Sequence, residues 1–535
     1  MGSSSENFTS SIFPHKAKFL NKFLWIFLSL FSALLLNLSF PYPGYSLLAW
    51  ISLVPFFVIL FTEKLKRVTL SALITGALFN VVYLDWMKEY KHVATLPGGV
   101  FAEMLFFLFA ALLFWFLSRN LKSTWLRAFV CTAGWFVIDY LKTIGFLGFP
   151  WGIIGYSQYR NLLLIQNASV LGLWGIDFII LYCNVTIALL IVEIIRSNPP
   201  KPSPINLYIL GGFLLLAVVF GVIKLGEEKK REFRSVRAGV VQANFDPWSP
   251  QVEENLSKEF NLTMKALKYD PDLIVWSESS VPFPYEYYLK RGNTHAVKVH
   301  NFIRYVNRPF LFGSIEFDGT YENGEFRGDF YNVAIFYNQD ALRTMYRKIH
   351  LVPFGEWFPF DRLFPFVERI LEAAGAGDFK PGKEYVVFDA GEFRFSVLIC
   401  FEDVFGNLTR GFIPGKPELF INVTNDAWTG SEKAEVQHFS LSVFRTVETR
   451  RSLLRVANGG VTACINPYGR VIDMLPLFTS DYLVCDVPLG DKDDKTFYTR
   501  FGDIFPQIAA IVICVFFLVT VVKKVIDRMK KKNNM

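Results

Sequence analysis

The sequence predicts a chain in two parts: a polytopic α-helical membrane domain of about eight spanning helices, and a water-soluble α/β domain inserted before the last of them. Three observations predict it. Of 535 residues, 52% are hydrophobic and only 19% charged, whereas ordinary soluble domains sit near 45–50% apolar and about 25% charged. From Leu24 to Phe220, apolar stretches alternate with short polar breaks, each stretch about long enough to cross a hydrocarbon core of ~30 Å. From Glu227 to Arg500 the apolar runs shorten to about four to eight residues, the length of a strand, and charges and turn residues separate them.

The expected spans are Leu24–Phe40, Leu47–Phe61, Leu70–Trp86, Phe101–Leu117, Leu126–Ile144, Leu173–Ile195 and Leu207–Ile223, with Ile504–Val522 alone near the C-terminus. Lys16, Lys18 and Lys22 make the first span look like a signal-peptide core. No small-residue cleavage site follows it and the second span begins at once, so it is expected to stay as an anchor. Lys and Arg in short loops are retained on the cytoplasmic side. One set of alternate loops carries Lys64, Lys66, Arg67, Arg119, Lys122, Arg127, Arg196 and Lys201; the other carries Lys88, Lys91, Lys142 and Arg160. With the basic tail Lys523, Lys524, Arg528, Lys530, Lys531 and Lys532, this pattern puts both termini in the cytoplasm and the insert outside. The run Lys229, Lys230, Arg231, Arg234 opposes that orientation, at the start of a long segment where the rule loses force. The expected division is residues 1–226, 227–500 and 501–535.

Within the insert, strands are expected at Val236–Val241, Leu273–Trp276, Pro309–Phe312, Asn332–Tyr337, Phe395–Cys400, Leu419–Val423, Leu453–Ala457 and Val461–Ile465, with a helix over Ala434–Arg451. Continuous apolar strands of this kind are buried on both faces, as in layered α/β folds.

Several function classes fall away. Six scattered cysteines without a CxxC pair exclude a disulfide scaffold and a zinc ribbon. A net charge of +7 without a clustered basic face is poor support for nucleic-acid binding. His350 and His438 lie at no metal-ligand spacing, so neither a metal nor another cofactor is expected. Few charges lie inside the spans, which argues against a transporter; Asp85, Glu103, Asp139 and Asp177 near span ends are the exceptions.

Three strand-like runs lead into reactive side chains: Leu273 to Glu278, Phe395 to Cys400, and between them Tyr346 to Glu356, which offers Lys348. Alone, Cys400 reads as a buried filler, Glu278 as a helix cap and Lys348 as a surface ammonium. Together they read differently. A carboxylate base and a nearby cation are what make and hold a thiolate, and the oxyanion formed by attack on an ester would be stabilised by Lys348 and the amide of Phe401. Glu356 and Glu402 would orient Lys348 or share the base role, or would serve as salt-bridge partners. The aromatics Phe354, Trp357, Phe358, Phe360, Phe364 and Phe366 form either domain core or a lid that dips into the bilayer interface.

The order of Glu278, Lys348, Glu356 and Cys400 resembles the nitrilase superfamily. With spans around it, the chain is similar to that superfamily's membrane-embedded branch, the apolipoprotein N-acyltransferases. The segments that carry the resemblance are Phe149–Gln158, Leu171–Ile176, Val241–Asn244, Trp276–Glu278, Lys348–Glu356, Cys400–Glu402, Thr424–Trp428, Asn458–Ala463 and Tyr498–Gly502. The resemblance implies an αββα sandwich and a triad of Glu278, Lys348 and Cys400. It also implies transfer of an acyl chain from a membrane phospholipid, through a thioester on Cys400, to the α-amine of a diacylglyceryl-cysteine at a lipoprotein's N-terminus. The enzyme would act as a monomer in the bacterial inner membrane with the catalytic domain exoplasmic, and Phe354, Trp357, Phe358 and Trp428 would line the lipid's way in. Departures stand at Ser277, where the family has Pro, at Ala243, where it has Gly, and at Phe401, where it has Tyr. A hydroxyl needed at that last place must come from elsewhere. The alternatives are a membrane-tethered amidase or nitrilase hydrolysing a small amide, and a transporter or sensor whose insert only binds.

Overall fold

Seven of the eight expected spans fall mainly on one helix each. A computed structural model describes residues 16–90, 95–196, 203–248, 251–322, 325–338, 343–358 and 378–533. Its long helices run Lys16–Ser39, Leu65–Tyr83, Thr95–Asn120, Thr124–Leu141, Leu173–Arg196, Ile205–Lys230 and Ile504–Asn533. Among the described residues, five helices are long and apolar enough to cross a membrane by length and composition: Leu65–Tyr83, Thr95–Asn120, Leu173–Arg196, Ile205–Lys230 and Ile504–Lys530.

The second expected span, Leu47–Phe61, is not one helix. A 3₁₀ turn over Ser46–Trp50 is followed by a new helix, Val54–Thr62, with Pro55 in its first turn, where a residue without an N–H starts a helix instead of continuing one. The fifth helix stops at Leu141, short of the expected Ile144, as the chain turns through Gly145 at φ +79°. Conversely, the seventh runs past Ile223 to Lys230, and Lys229 and Lys230 lie in its last turn, where cations complement the dipole. The basic run that opposed the expected orientation therefore has local partners: Arg231 meets Asp494 at 3.3 Å and Arg234 meets Glu418 at 2.8 Å.

Residues 235–488 build two sheets. Strands β1 (Ser235–Gln242), β2 (Leu273–Trp276), β3 (Val281–Pro284), β4 (Phe310–Glu322), β5 (Glu325–Tyr337), β6 (Arg343–Arg347) and β13 (Asp481–Pro488) form one, in the order β13-β1-β2-β4-β5-β6 with β3 also on β4. Strands β7 (Phe388–Asp389), β8 (Arg394–Ile399), β9 (Leu419–Thr424), β10 (Ser452–Ala457), β11 (Ala463–Ile465) and β12 (Val471–Met474) form the other, in the order β12-β11-β10-β9-β8-β7. β1-β2-β4 and β8-β9-β10 are parallel.

Side chains alternate across each strand. Trp276, Phe310 and Phe312 face the helices Val252–Ala266 and Thr294–Val306 through Leu262, Val299 and Ile303. Phe336 points the other way and meets Phe388 and Phe395 of the second sheet at 5.6 and 5.0 Å. The helix Glu432–Thr449 packs on the second sheet, so the layers are helix, sheet, sheet, helix. Three expected strands change length. Pro309–Phe312 and Asn332–Tyr337 are the buried halves of a long β4–β5 hairpin whose far end is polar. Val461–Ile465 shortens to Ala463–Ile465, since the Thr462 hydroxyl turns to Gln242 at 2.6 Å.

The Glu432–Thr449 helix joins the two parts. Its Lys433 pairs with Asp85 at 2.8 Å, Gln437 accepts from the Trp86 indole at 2.9 Å, and Glu448 accepts from the Leu173 amide at 3.2 Å.

Candidate active site

Glu278, Lys348 and Cys400 each lie just past a strand end, after β2, β6 and β8. The Tyr346–Glu356 run is strand only to Arg347, and Cys400 opens a 3₁₀ turn, Cys400–Val404, instead of closing β8. Cys400 has φ +51°, Ser279 next to Glu278 has φ +57° and Phe354 has φ +64°. Three non-glycine residues in the left-handed region around one site are strain that the surrounding sheets must hold, at about 1–3 kcal/mol each. Gly313 of β4 passes so close to Glu278 that a Cβ there would sit 2.6 Å from the Glu278 Cα; only glycine fits.

The Lys348 ammonium is 1% exposed and donates to Glu356 Oε1 at 2.8 Å, with Glu278 Oε1 at 3.6 Å. Asn332 of β5 bridges the same two carboxylates: its Nδ2 donates to Glu278 Oε1 and to Glu356 Oε1, both at 2.8 Å. The Asn425 amide donates to Glu278 Oε2 at 2.8 Å, and the Val352 amide to Glu356 Oε2 at 2.7 Å. Burial alone would lower the Lys348 pKa, but Glu356, Glu278 and Cys400 outweigh it and the ammonium stays charged. Burial raises the Glu278 carboxyl, with Lys348 pulling it back. Burial also raises the Cys400 thiol well above its usual value, Glu278 adds to this and Lys348 opposes it. The resting thiol is therefore protonated beside a carboxylate and a cation.

The other expected site residues fall in different places. Glu402 is fully buried and turns to the backbone: it accepts from the Ile399, Ile349 and His350 amides at 2.7–3.0 Å and from the Tyr346 hydroxyl at 2.9 Å, and feels the Lys348 charge. It ties the Cys400 turn to the Lys348 strand, and burial raises its pKa to about 7. The Phe401 ring stacks on Trp151 at 5.7 Å and meets Phe405 and His350 at 5.0 and 5.7 Å. Phe354 is exposed, next to Phe358 at 5.8 Å. Trp357 meets Phe146, in the loop after the fifth helix, at 5.7 Å, so these residues are not domain core. Phe360, Phe364 and Phe366 lie outside the described residues. Trp428 packs edge-on against Trp248 at 4.9 Å.

Several residues went unnoticed as single positions. Asn332 left no sequence signal. Asp426 lies inside a segment singled out above, and His438 was set aside because it matched no metal spacing. In the fold His438 is held between Asp403 at 2.9 Å and Asp426 at 3.0 Å, while Arg455 pairs with both aspartates. Among the described residues no group of three or more His, Cys, Asp or Glu is arranged to hold a metal ion. The charges near span ends also have partners: Lys142 donates to Glu103 at 2.8 Å and to the Trp151 carbonyl at 2.6 Å, and Asp177 accepts from the Gly155 amide at 3.1 Å.

Comparison with known proteins places these parts. Residues 32–186 match the apolipoprotein N-acyltransferase N-terminal domain, and residues 237–494 match the carbon-nitrogen hydrolase family. The chain is similar to apolipoprotein N-acyltransferase 1 of Treponema denticola, 31% identical over 97% of this chain and 100% of that protein. It is also 33% identical to apolipoprotein N-acyltransferase of Geobacter metallireducens, over 89% of this chain and 92% of the relative. Among solved structures, an amidase from Nesterenkonia sp. is 16% identical with a TM-score of 0.36, covering 50% of this chain and 97% of the amidase.

Proposed function

The chain belongs to the apolipoprotein N-acyltransferase family, and from that premise we propose that it N-acylates lipoproteins with a phospholipid acyl donor, through Cys400, Lys348 and Glu278. The observation that carries this is the buried Lys348 ammonium, set between Glu356 and Glu278 and acting on the Cys400 thiol.

In the first half-reaction Glu278 takes the thiol proton and the sulfur attacks the acyl ester carbonyl. The oxyanion is met by the Lys348 ammonium and by the Phe401 amide, which lies in the first turn of the 3₁₀ segment where N–H groups lack partners within the turn. As the tetrahedral intermediate collapses, the C–O bond breaks. Glu278 returns its proton to the departing alkoxide, releasing lysophospholipid and leaving a thioester. In the second half, the neutral α-amine of a diacylglyceryl-cysteine attacks the thioester, Glu278 accepts the amine's proton, and the thiolate leaves and is reprotonated. A thioester is attacked by amines far more readily than an oxygen ester, so the covalent step makes amide formation practicable.

Glu356 holds Lys348, Glu402 fixes the turn carrying Cys400, and Phe354, Trp357, Phe358 and Trp428 form the lipid's way in, Trp357 touching the membrane helices' Phe146. Residues 1–226 would form the N-terminal membrane domain, 227–500 the catalytic domain and 501–535 the last helix and basic tail. The protein would lie in the bacterial inner membrane as a multi-pass monomer, with its catalytic domain outside and both termini inside; loop charges support the orientation. Intact-mass analysis of protein incubated with phospholipid tests the central step. An acyl adduct that hydroxylamine releases is expected on wild type and not on Cys400→Ala. An adduct of equal size on both would exclude Cys400 as its carrier.

A further inference from the structure

Lys142 is a buried charge of the membrane part for which the reaction has no use. It ends the helix Thr124–Leu141. Its ammonium donates to Glu103 of the helix Thr95–Asn120 at 2.8 Å and to the Trp151 carbonyl at 2.6 Å, and its own carbonyl accepts from the Phe149 amide at 2.9 Å. Residues 149–152 are thus held to Lys142 at two points. Gly152 follows at φ +78°, and a Cβ there would lie 3.6 Å from the Lys142 nitrogen, so the chain turns closely around the ammonium. Apolar residues of similar volume often replace a buried ion pair at no loss of stability, and ionisable side chains inside a membrane domain mark function by default. Here the ammonium supplies a partner to a carbonyl outside regular secondary structure.

The held segment reaches the nucleophile's neighbour. The buried Trp151 ring lies parallel to Phe149 at 4.7 Å and to Phe401 at 5.7 Å. Phe401 follows Cys400 in the 3₁₀ turn and carries the amide assigned above to the oxyanion. It has no hydroxyl, so ring contacts with Trp151, Phe405 and His350 are what hold its side chain. Each step from Glu103 to that turn is a direct contact.

We propose that Lys142, held by Glu103, is a positioning residue for acyl transfer: by anchoring Trp151 against Phe401 it sets the Phe401 amide where the ester oxyanion forms. Glu402 fixes the same turn from the catalytic side, through the Ile399 and Ile349 amides, and Trp151 closes on it from the membrane side. An oxyanion donor works only when aimed at the place the charge develops, and a misplacement of about 1 Å costs about 10²-fold in rate. Lys142 touches neither the sulfur nor Glu278 nor Lys348. Its effect therefore falls on attack at a carbonyl and not on the reactivity of the thiol.

The inference rests on Cys400 as the nucleophile and on the Phe401 amide as an oxyanion donor, and its test compares two reactions of the same sulfur. The full-length protein in detergent carries Cys514→Ser, which removes the exposed cysteine. Mass spectrometry follows acylation of Cys400 by phosphatidylethanolamine and phosphatidylglycerol in mixed micelles, and its alkylation by iodoacetamide, a displacement at a saturated carbon that forms no oxyanion. Lys142→Met is expected to lower the maximal acylation rate about 10²-fold, with the half-saturating lipid concentration and the alkylation rate unchanged, and Lys142→Arg to recover most of the loss. Equal losses in acylation and alkylation, a loss confined to the half-saturating concentration, or unchanged acylation each overturn the proposal. Lys142→Met leaves Glu103 buried without its cation; should it fail to fold, Glu103→Leu combined with Lys142→Leu removes both charges, and the same outcomes decide. A wild type that forms no adduct on Cys400 overturns the reading beneath the proposal, a result distinct from an adduct that forms equally fast in wild type and variant.

Discussion

Two buried charge clusters lie close together in the sandwich, and they are built on opposite plans. Around Arg455, two cations meet two anions. Arg455 pairs with Asp403 and Asp426, and His438 sits between the same two aspartates with a ring nitrogen on each. Burial pushes Asp426 up, but Arg455 and His438 outweigh it and hold the carboxyl far below its usual range. Burial and Arg455 push His438 down, yet the two aspartates carry it to about 9. Around Lys348 one cation serves two carboxylates and a thiol. In the first cluster the two cations and two aspartates balance, and burial and Asp426 raise a third buried carboxyl, Glu435, well above its usual value; the cluster fixes the ends of β9 and β10. The second is short of one cation, and burial raises both Glu278 and Cys400, so a proton can pass between these two. Burial alone does not make a site, and an incomplete charge balance does.

The sharpest way to break this comparison is to remove the shared cation or the nucleophile. Cys400→Ala and Lys348→Met are each expected to reduce acyl-enzyme formation by ~10⁴-fold or more, as measured by intact mass; Cys400→Ala should keep its unfolding temperature, whereas Lys348→Met strands the buried Glu278 and Glu356 and should lower it. Near-normal adduct formation in Lys348→Met would mean that the thiolate does not need the ammonium. Glu278→Gln keeps the side chain's size but removes the base and can accept from only one of the two donors, the Asn332 amide nitrogen and the Asn425 N–H; it should slow acylation by ~10²–10⁴-fold.

The balanced cluster should respond in stability instead. Arg455→Met strands two buried aspartates, and breaking a buried pair this way costs about 3–5 kcal/mol. A large drop in unfolding temperature is expected; a large activity loss in a fully stable variant would move Arg455 into the chemistry. His438 sharpens the contrast through pH. Its folded value of about 9 lies above its ordinary 6.5, so its contribution is fully present below 6.5 and is lost as pH rises through about 9. Unfolding temperature should therefore fall over that window, and less so in His438→Gln. An equal slope in both proteins would remove His438 as the cause. The smallest effect is expected outside both clusters. Trp357→Ala should lower turnover with bilayer lipid severalfold while sparing a small soluble ester; equal losses on both would tie Trp357 to the catalytic geometry.

Much of this was legible in the sequence, and the rest had physical reasons for being hidden. The long apolar helices and the central strands are long or apolar enough that hydropathy alone marks them. β6, β12 and β13 are edge or near-edge strands with exposed residues, and so they left no continuous apolar run. Glu278 and Cys400 stood out because each follows a continuous apolar run, and Lys348 because the strand-like stretch Tyr346 to Glu356 carries it between them. Asn332 did not, because an asparagine within a strand carries no hydropathy signal and gains its meaning only from the two carboxylates it bridges. Glu402 was read beside Lys348 from its nearness to Cys400 in sequence; the 3₁₀ turn points it back to the strand amides instead.

The helix Glu432–Thr449 has a further consequence. Fifteen of its eighteen residues are buried, although many are polar, because one side rests on a sheet and the other on membrane helices. A surface helix can be cut loose with its partner domain and stay soluble; this one cannot. Excised, residues 227–500 would lose the Asp85, Trp86, Tyr83 and Leu173 partners of Lys433, Gln437 and Glu448. The catalytic part is therefore not portable. A water-soluble version would need that single helix redesigned before anything else, and a chimera that exchanges the membrane helices would succeed or fail at those few contacts.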